Sequence, residues 1–270
     1  MPRLLDPTSL NNSFSRSASR LLGILAIAFA VVQIPSLAAA GDVDSLTDEK
    51  TSSAKLDEAK DKASAGSQKE AKFETAATTD KDGWKLLFNG KDLEGWKVTN
   101  FGGEGKVFVE NGEVVISQGV DLSGIHTEQK LPTSNYEVQF EAMRQQGSDF
   151  FAGLTFPVKD SHCSLILGGW GGGVCGISSL DGMDAAENET TSYQAFEKGK
   201  WYKVRIEVRD NHLNAWLDDK SIVDVDTTDR RIGTRFEVDK SKPFGFATYC
   251  TTGRIRNAKI RPLPAEAKEN

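Results

Sequence analysis

Between Trp84 and Pro262, apolar residues recur at every second position, interrupted by Gly, Asn and Asp. Tyr136, Val138, Phe140 and Ala142 alternate with Glu137, Gln139 and Glu141. A period of two sends one set of side chains to a buried face and the other to water. Tyr202, Val204, Ile206 and Val208 repeat the pattern against Lys203, Arg205, Glu207 and Arg209. Leu213, Ala215 and Leu217 follow against Asn214, Trp216 and Asp218, with further strands expected at Ser221–Val225, Phe244–Cys250 and Ile255–Ile260. Val107–Ile116 reads as a hairpin turning on Asn111-Gly112, a pair that accepts positive φ at both centres of a type I′ turn. No helical period separates these runs. Many short, evenly spaced strands indicate a sandwich or barrel, and residues 83–265 are assigned to one all-β antiparallel β-sandwich.

Upstream the pattern is different. Arg16 and Arg20 precede an apolar run from Leu21 to Ile34, then Pro35 and Ala38-Ala39-Ala40. This is the three-part layout of a cleavable signal peptide, residues 1–40. An uncleaved anchor is the alternative, since the run is near the lower limit of about 18 residues for crossing a bilayer. Cleavage after Ala40 would expose Gly41, not Cys, so nothing supports a lipid-attached product. Residues 41–82 are almost all Asp, Glu, Lys, Ala, Ser and Thr, with only Val43, Leu46, Leu56 and Phe73 as larger apolar groups. That is too little to offset ordering, so the segment reads as a disordered charged linker. Residues 266–270 form a short tail.

The whole chain of 270 residues has a formal charge of -6. The leader carries Arg3, Arg16 and Arg20 against Asp6, so the mature chain is more acidic still. An acidic exported protein lacks the basic patch that nucleic acid requires, and it lacks a polybasic membrane-binding segment. The expected location is periplasmic or extracellular, with no stable membrane insertion after leader removal. Three cysteines, Cys163, Cys175 and Cys250, allow at most one internal disulfide. Cys163 and Cys175 lie on neighbouring strand candidates and are the natural pair. The preferred reading is buried free thiols acting as small apolar residues.

Trp84 to Trp96 reads WKLLFNGKDLEGW, which closely resembles the opening LFNGKDL-x-GW signature of the 3-keto-disaccharide hydrolase domain family. Further resemblances are Val109-Glu110-Asn111-Gly112-Glu113, Tyr136–Glu141 followed by Arg144, Lys200–Ile206 and Arg254–Ile260. The resemblance implies a concanavalin A-like jelly roll that acts on sugars oxidised at C3. There a base removes the acidified C2 proton, the C1 oxygen leaves with help from an acid, and water adds back. No nucleotide cofactor is implied. The middle of the chain departs from the commoner family pattern, with Ser164 where the family's strand glutamate would sit and the run Gly168-Gly169-Trp170-Gly171-Gly172-Gly173 in place of a later motif.

The residues themselves offer a candidate cluster. His162 alternates with Cys163 and Leu165 and should face away from the core. Asp149 is placed at the opening of the neighbouring strand. Trp170 stands in a glycine run that permits close approach of backbone or ligand. Asp181–Thr190 is a dense acidic loop. His162, Asp149, Asp184 and Glu187 are the catalytic candidates, and Trp170, Arg144, Asn188 and Glu189 the substrate-binding ones. The bland counterparts are a hydrogen-bonded surface His, a Trp plugging the sandwich end and a solvated turn. No metal is assigned, and a Ca²⁺ ion near Asp181–Glu189 is not favoured because the spacing does not match an EF-hand loop. Glu137, Gln139, Glu141, Lys203, Arg205 and Glu207 read as a cross-strand charge ladder or as a concave lectin-like face. Three functions fit: an exported hydrolase of 3-keto-glycosides, a non-catalytic glycan-binding module, and a structural envelope protein. The enzyme reading requires His162, Asp149 and an acid from Asp181–Glu189 to share one pocket.

Overall fold

The computed structural model describes residues 79–265. The signal peptide, most of the linker and the tail lie outside the described residues. The chain forms short β1 (Lys85–Leu86) and β2 (Lys97–Val98), then a hairpin of β3 (Val107–Glu110) and β4 (Glu113–Ile116). Next come β5 (Leu122–Thr127), β6 (Tyr136–Gly147), β7 (Ala152–Val158), β8 (Ser161–Gly169), β9 (Val174–Ser178) and β10 (Ser192–Tyr193). The last part contains β11 (Trp201–Val208), β12 (His212–Leu217), β13 (Lys220–Asp226), a 3-10 segment (Phe236–Ser241), β14 (Phe244–Tyr249) and β15 (Thr251–Pro262).

These strands build two antiparallel sheets. The first runs β13, β12, β11, β6, β15, β4, β3, with β1 also on β15. The second runs β10, β9, β8, β7, β14, β5, β2. The alternation seen in the sequence divides each strand between a core face and an outer face. Tyr136, Val138, Phe140 and Ala142 of β6 meet Phe244 and Phe246 of β14 across the sandwich, all buried. Phe140 and Phe246 pack edge to face at 5.1 Å. The Tyr136 hydroxyl donates to the Pro157 carbonyl at 2.6 Å, which satisfies its one buried polar atom.

The hairpin turn has φ of 53° at Asn111 and 82° at Gly112, the sign pair a type I′ turn requires. Gly112→Ala is expected to cost about 1 kcal/mol, read as a shift in the urea midpoint, because a Cβ disfavours that backbone region. The Trp84–Trp96 signature folds into a plug at one edge of the core. Asn89 Oδ1 accepts from the Lys91 and Asp92 amides, closing a turn. That turn stacks Phe88 on Trp96 at 4.5 Å, and Trp96 Nε1 donates to the Leu87 carbonyl. The motif that carries the resemblance is therefore structural.

Cys163, Cys175 and Cys250 are all free. β8 and β9 are neighbours, but the register sets Cys175 opposite Leu167, four residues from Cys163. At about 3.3 Å per residue that offset exceeds the reach of a disulfide, about 7 Å between Cα atoms. Burial pushes the Cys163 thiol well up and Cys175 to about 11. In native protein a thiol reagent should label Cys250 alone, and all three cysteines after unfolding. Rapid native labelling of Cys163 or Cys175 would contradict this packing.

Candidate functional site

The two outer faces of the sandwich differ sharply. On the first sheet, long charged side chains form a ladder. Arg261 grips Glu137, Arg256 grips Glu141, and Arg254 bridges Glu110 and Glu113. Cations cover the indole rings here: Arg205 lies over Trp216 at 3.4 Å and Arg256 over Trp201 at 4.0 Å. Lys259 and Arg261 cover Trp84 at 4.3 and 4.4 Å. Of the two readings of this face, the charge ladder is the one the geometry matches.

On the second sheet the outward positions are small. A Cβ on Gly153 would stand 3.1 Å from the Phe150 ring, so glycine there lets the ring lie down on the sheet. One on Gly124 would stand 2.4 Å from the Phe246 carbonyl of β14, so glycine there answers the close approach of the neighbouring strand, with the Phe101 ring 3.2 Å away. The result is an open trough of about 610 Å³. Its floor is Ser164, Ile166 and Ser178. Asp149, Phe150 and Trp170 line it from the turn between β6 and β7 and from the loop after β8; Phe101, Asp121 and Tyr249 line it from beside β2, β5 and β14; Arg235, Phe236 and Glu237 come from the 3-10 segment and the residue before it.

Three details fix the chemistry. The Asp149 carboxylate is held by backbone amides, Phe150 N on Oδ1 at 2.8 Å and Gly171 N on Oδ2 at 3.0 Å. Tyr249 stacks on Phe150 with centroids 6.0 Å apart, and Asp121 beside it pushes its phenol above the usual value, with Asp149 adding to the shift. The hydroxyl therefore stays protonated. On the floor, Thr155 Oγ1 and Ser164 Oγ share a hydrogen bond of 2.8 Å. Ser178, opposite Ser164 in the register, is 2% exposed and its Oγ has no partner among the described residues.

Of the residues chosen from the sequence, the structure brings Asp149 and Trp170 together in this trough. Asp149 lies in the turn between β6 and β7, not at the opening of a strand. His162 faces outward as expected, but at the far end of β8, opposite Pro157. Gly171, which holds Asp149, lies beyond the other end of that strand, so roughly 20 Å separates the two groups. Burial and Lys242 lower the His162 pKa.

Arg144 is buried, and Nη2 donates to the carbonyls of Asp149, Gly168 and Gly172. It anchors the Trp170 loop from beneath and does not face a ligand. The glycine run has the same cause, since a Cβ on Gly168 would stand 2.3 Å from Arg144 Nη2. Asn188 is likewise spent inside the protein. Its amide donates to the Ile177, Met183 and Asp184 carbonyls and accepts from Thr190.

The acidic loop is strapped down by arginines. Asp181 and Glu189 pair with Arg230, and Asp184 pairs with Arg235. Glu187 is exposed outside the trough. Among the described residues no group of three or more potential ligands is gathered for a metal. Sequence reasoning missed Asp121, Tyr249, Arg235 and Glu237.

The architecture and the trough define a jelly-roll-type sandwich with an aromatic and carboxylate-lined trough on one sheet. The chain belongs to the 3-keto-alpha-glucoside-1,2-lyase-like domain family, whose model matches residues 83–261. No curated protein matches it. Among solved structures it is similar to a protein described as a glycosyl hydrolase from Parabacteroides distasonis, at 18% identity and TM-score 0.46, covering 68% of this chain and 95% of that one. It is also similar to the carbohydrate binding module CBM66 from Bacillus subtilis, at 17% identity and TM-score 0.39, over 62% and 95% of the two chains. A third is domain 4 of a GH43 extracellular arabinanase from Geobacillus stearothermophilus in complex with arabinotriose, at 14% identity and TM-score 0.42, over 63% and 84% of the two chains. Such distant likenesses carry no argument about chemistry. No helix among the described residues is long and apolar enough to cross a membrane.

Proposed function

We propose that this is an exported domain that binds a glycoside in the trough of the second sheet and cleaves 3-keto-glycosides by elimination. The observation that carries the reading is the convergence of Asp149, Asp121 and Tyr249 with open aromatic rings in one pocket. Aromatic faces pack against the C–H faces of a sugar ring, and carboxylates and hydroxyls take its O–H groups. Family membership over residues 83–261 supports the substrate class. The leader read from residues 1–40 supports export.

The reaction needs a base, an acid and a site that tolerates an enolate. Asp149, fixed by two amides, takes the proton from C2, and the electron pair moves into the C3 carbonyl as an enolate. The enolate collapses, the C1–O bond breaks, and the Tyr249 hydroxyl delivers a proton to the departing oxygen. The products are a C1=C2 enone and the free alcohol. Water then adds its oxygen at C1 and a proton at C2, so the net change is hydrolysis. No part of this sequence uses a cofactor.

The test is to incubate the full chain with 3-keto-glucosides and with their unoxidised parents, following keto-sugar absorbance and released alcohol. Release from the keto forms alone is expected. Saccharide binding without turnover on any keto substrate would reassign the domain as a glycan-binding module, the reading that Ser164 on the trough floor would then favour.

A further inference from the structure

We infer that the trough is selective for a glycoside bearing a positively charged nitrogen, a protonated amino sugar, over its neutral counterpart. The inference rests on the reading of the trough as a saccharide site and adds the charge of the saccharide. Three observations carry it.

The first is the balance of charge. Asp121, Asp149 and Glu237 line the trough, with Arg235 as its one lining cation among the described residues. Arg235 is already committed, to Glu237 and to Asp184 behind it. Arg144 lies beneath Asp149 but is buried, with its guanidinium turned to backbone carbonyls. Asp121 is exposed, and neither it nor Asp149 has a salt-bridge partner among the described residues. An arriving ammonium would meet two carboxylates without displacing a protein cation.

The second is the state of the rings. On the opposite face, Trp84, Trp201 and Trp216 each carry a protein cation within 4.4 Å. Trp170 is 44% exposed at the trough wall, and among the described residues neither it nor Tyr249 is covered by Lys or Arg. Open rings beside carboxylates attract a cation through the ring quadrupole as well as through charge.

The third is the floor. Ser178 Oγ is buried, without a partner, on the trough side of β9. A buried hydroxyl left unpaired costs about 1–3 kcal/mol, and a bound polar ligand group would relieve that cost. This marks the acidic trough as a place where a ligand is expected.

The experiment titrates the full chain with the disaccharide of glucosamine, its N-acetylated form and cellobiose, by calorimetry at low and high salt. Acetylation removes the charge while keeping the ring and its hydroxyls. The free amine is expected to bind about tenfold tighter than either neutral sugar at low salt, with the margin shrinking as salt screens it. Asp121→Asn, at an exposed position, should remove much of the margin, and Asp149→Asn should remove more. Equal affinities for the three sugars overturn the inference, as does a preference that survives both substitutions. If the keto-glucosides are still cleaved in that case, the proposed function stands and only the charge preference falls. If the amine preference holds and no keto-glucoside is cleaved, the inference stands and the enzymatic reading falls.

Discussion

Arg144→Ala is expected to lower the unfolding free energy of the domain by about 3 kcal/mol or more. The arginine is 5% exposed, and Nη2 alone satisfies three backbone carbonyls at 2.8 to 3.1 Å. Its guanidinium also lies 5.1 Å from the centre of the Phe151 ring and 5.6 Å from that of Phe196. Alanine would leave the carbonyls unpaired in a space too apolar for them and open a void between the rings. Urea unfolding followed by tryptophan fluorescence measures the loss. In a domain of this size the same change would lower Tm by about 6–12 °C. Arg144→Lys keeps a charge but not the planar fork that reaches several carbonyls, so it should recover less than half of the stability. A midpoint shift equivalent to less than about 0.5 kcal/mol, within the range of an ordinary surface substitution, would rule out the clamp. The expected consequence for the site is direct, since the carbonyls belong to Asp149 and to the glycines flanking Trp170.

The strands were legible because one face of each sheet is apolar, and a period of two is visible over four or five residues. The alternation of β6 from Tyr136 to Ala142 and of β11 from Tyr202 to Val208 reads from the sequence as it stands in the structure, core side chains and charged ladder included, although β6 runs on to Gly147. The position of a residue along its strand was harder to read. His162 faces outward as its neighbours require, but whether it meets Asp149 depends on which end of β8 it occupies. That is set by the turn pairing Pro157 with His162, which side-chain alternation does not encode. The glycine run was marked as a place of close approach. The group that approaches is Arg144 from below, which only the packing reveals.

Much of the trough was not legible at all. Asp121 begins the approach to β5, Tyr249 ends β14, and Arg235 to Glu237 lie at the 3-10 segment, so over a hundred positions of sequence separate the first from the others. Nothing local distinguishes Tyr249 from any outward residue at a strand end. Antiparallel pairing of β14 with both β5 and β7 is what brings it beside Asp121 and Phe150. The acidic loop had the opposite fate. Its density of carboxylates suggested chemistry, but Arg230 and Arg235 neutralise it from a segment about fifty residues away. The sequence signal was real, and its partner was too distant to recognise.

Asp149→Asn is expected to reduce cleavage of a 3-keto-glucoside by about 10²–10⁴-fold, the usual range for loss of a positioned general base. Most of the loss should fall on kcat, because the substitution keeps the shape of the wall against which the sugar packs. One complication is structural: both carboxylate oxygens accept backbone amides, from Phe150 and from Gly171, and an asparagine can accept only one of them without turning its own N–H toward the other. Near-UV circular dichroism of the Trp170 environment separates a displaced loop from a lost base. Asp149→Ala supplies the sharper test, since added formate can occupy the vacated space and act as an external base. Partial recovery of kcat with formate, absent for Tyr249→Phe, is the result a base at this position requires. His162→Ala should leave the rate within about threefold, because its imidazole lies at the other end of the strand. If His162→Ala abolished turnover and Asp149→Asn did not, the chemistry would have to be moved from the trough to the far end of β8. The arrangement of Asp149 between two amides, in one trough with the open indole of Trp170, would then serve binding alone.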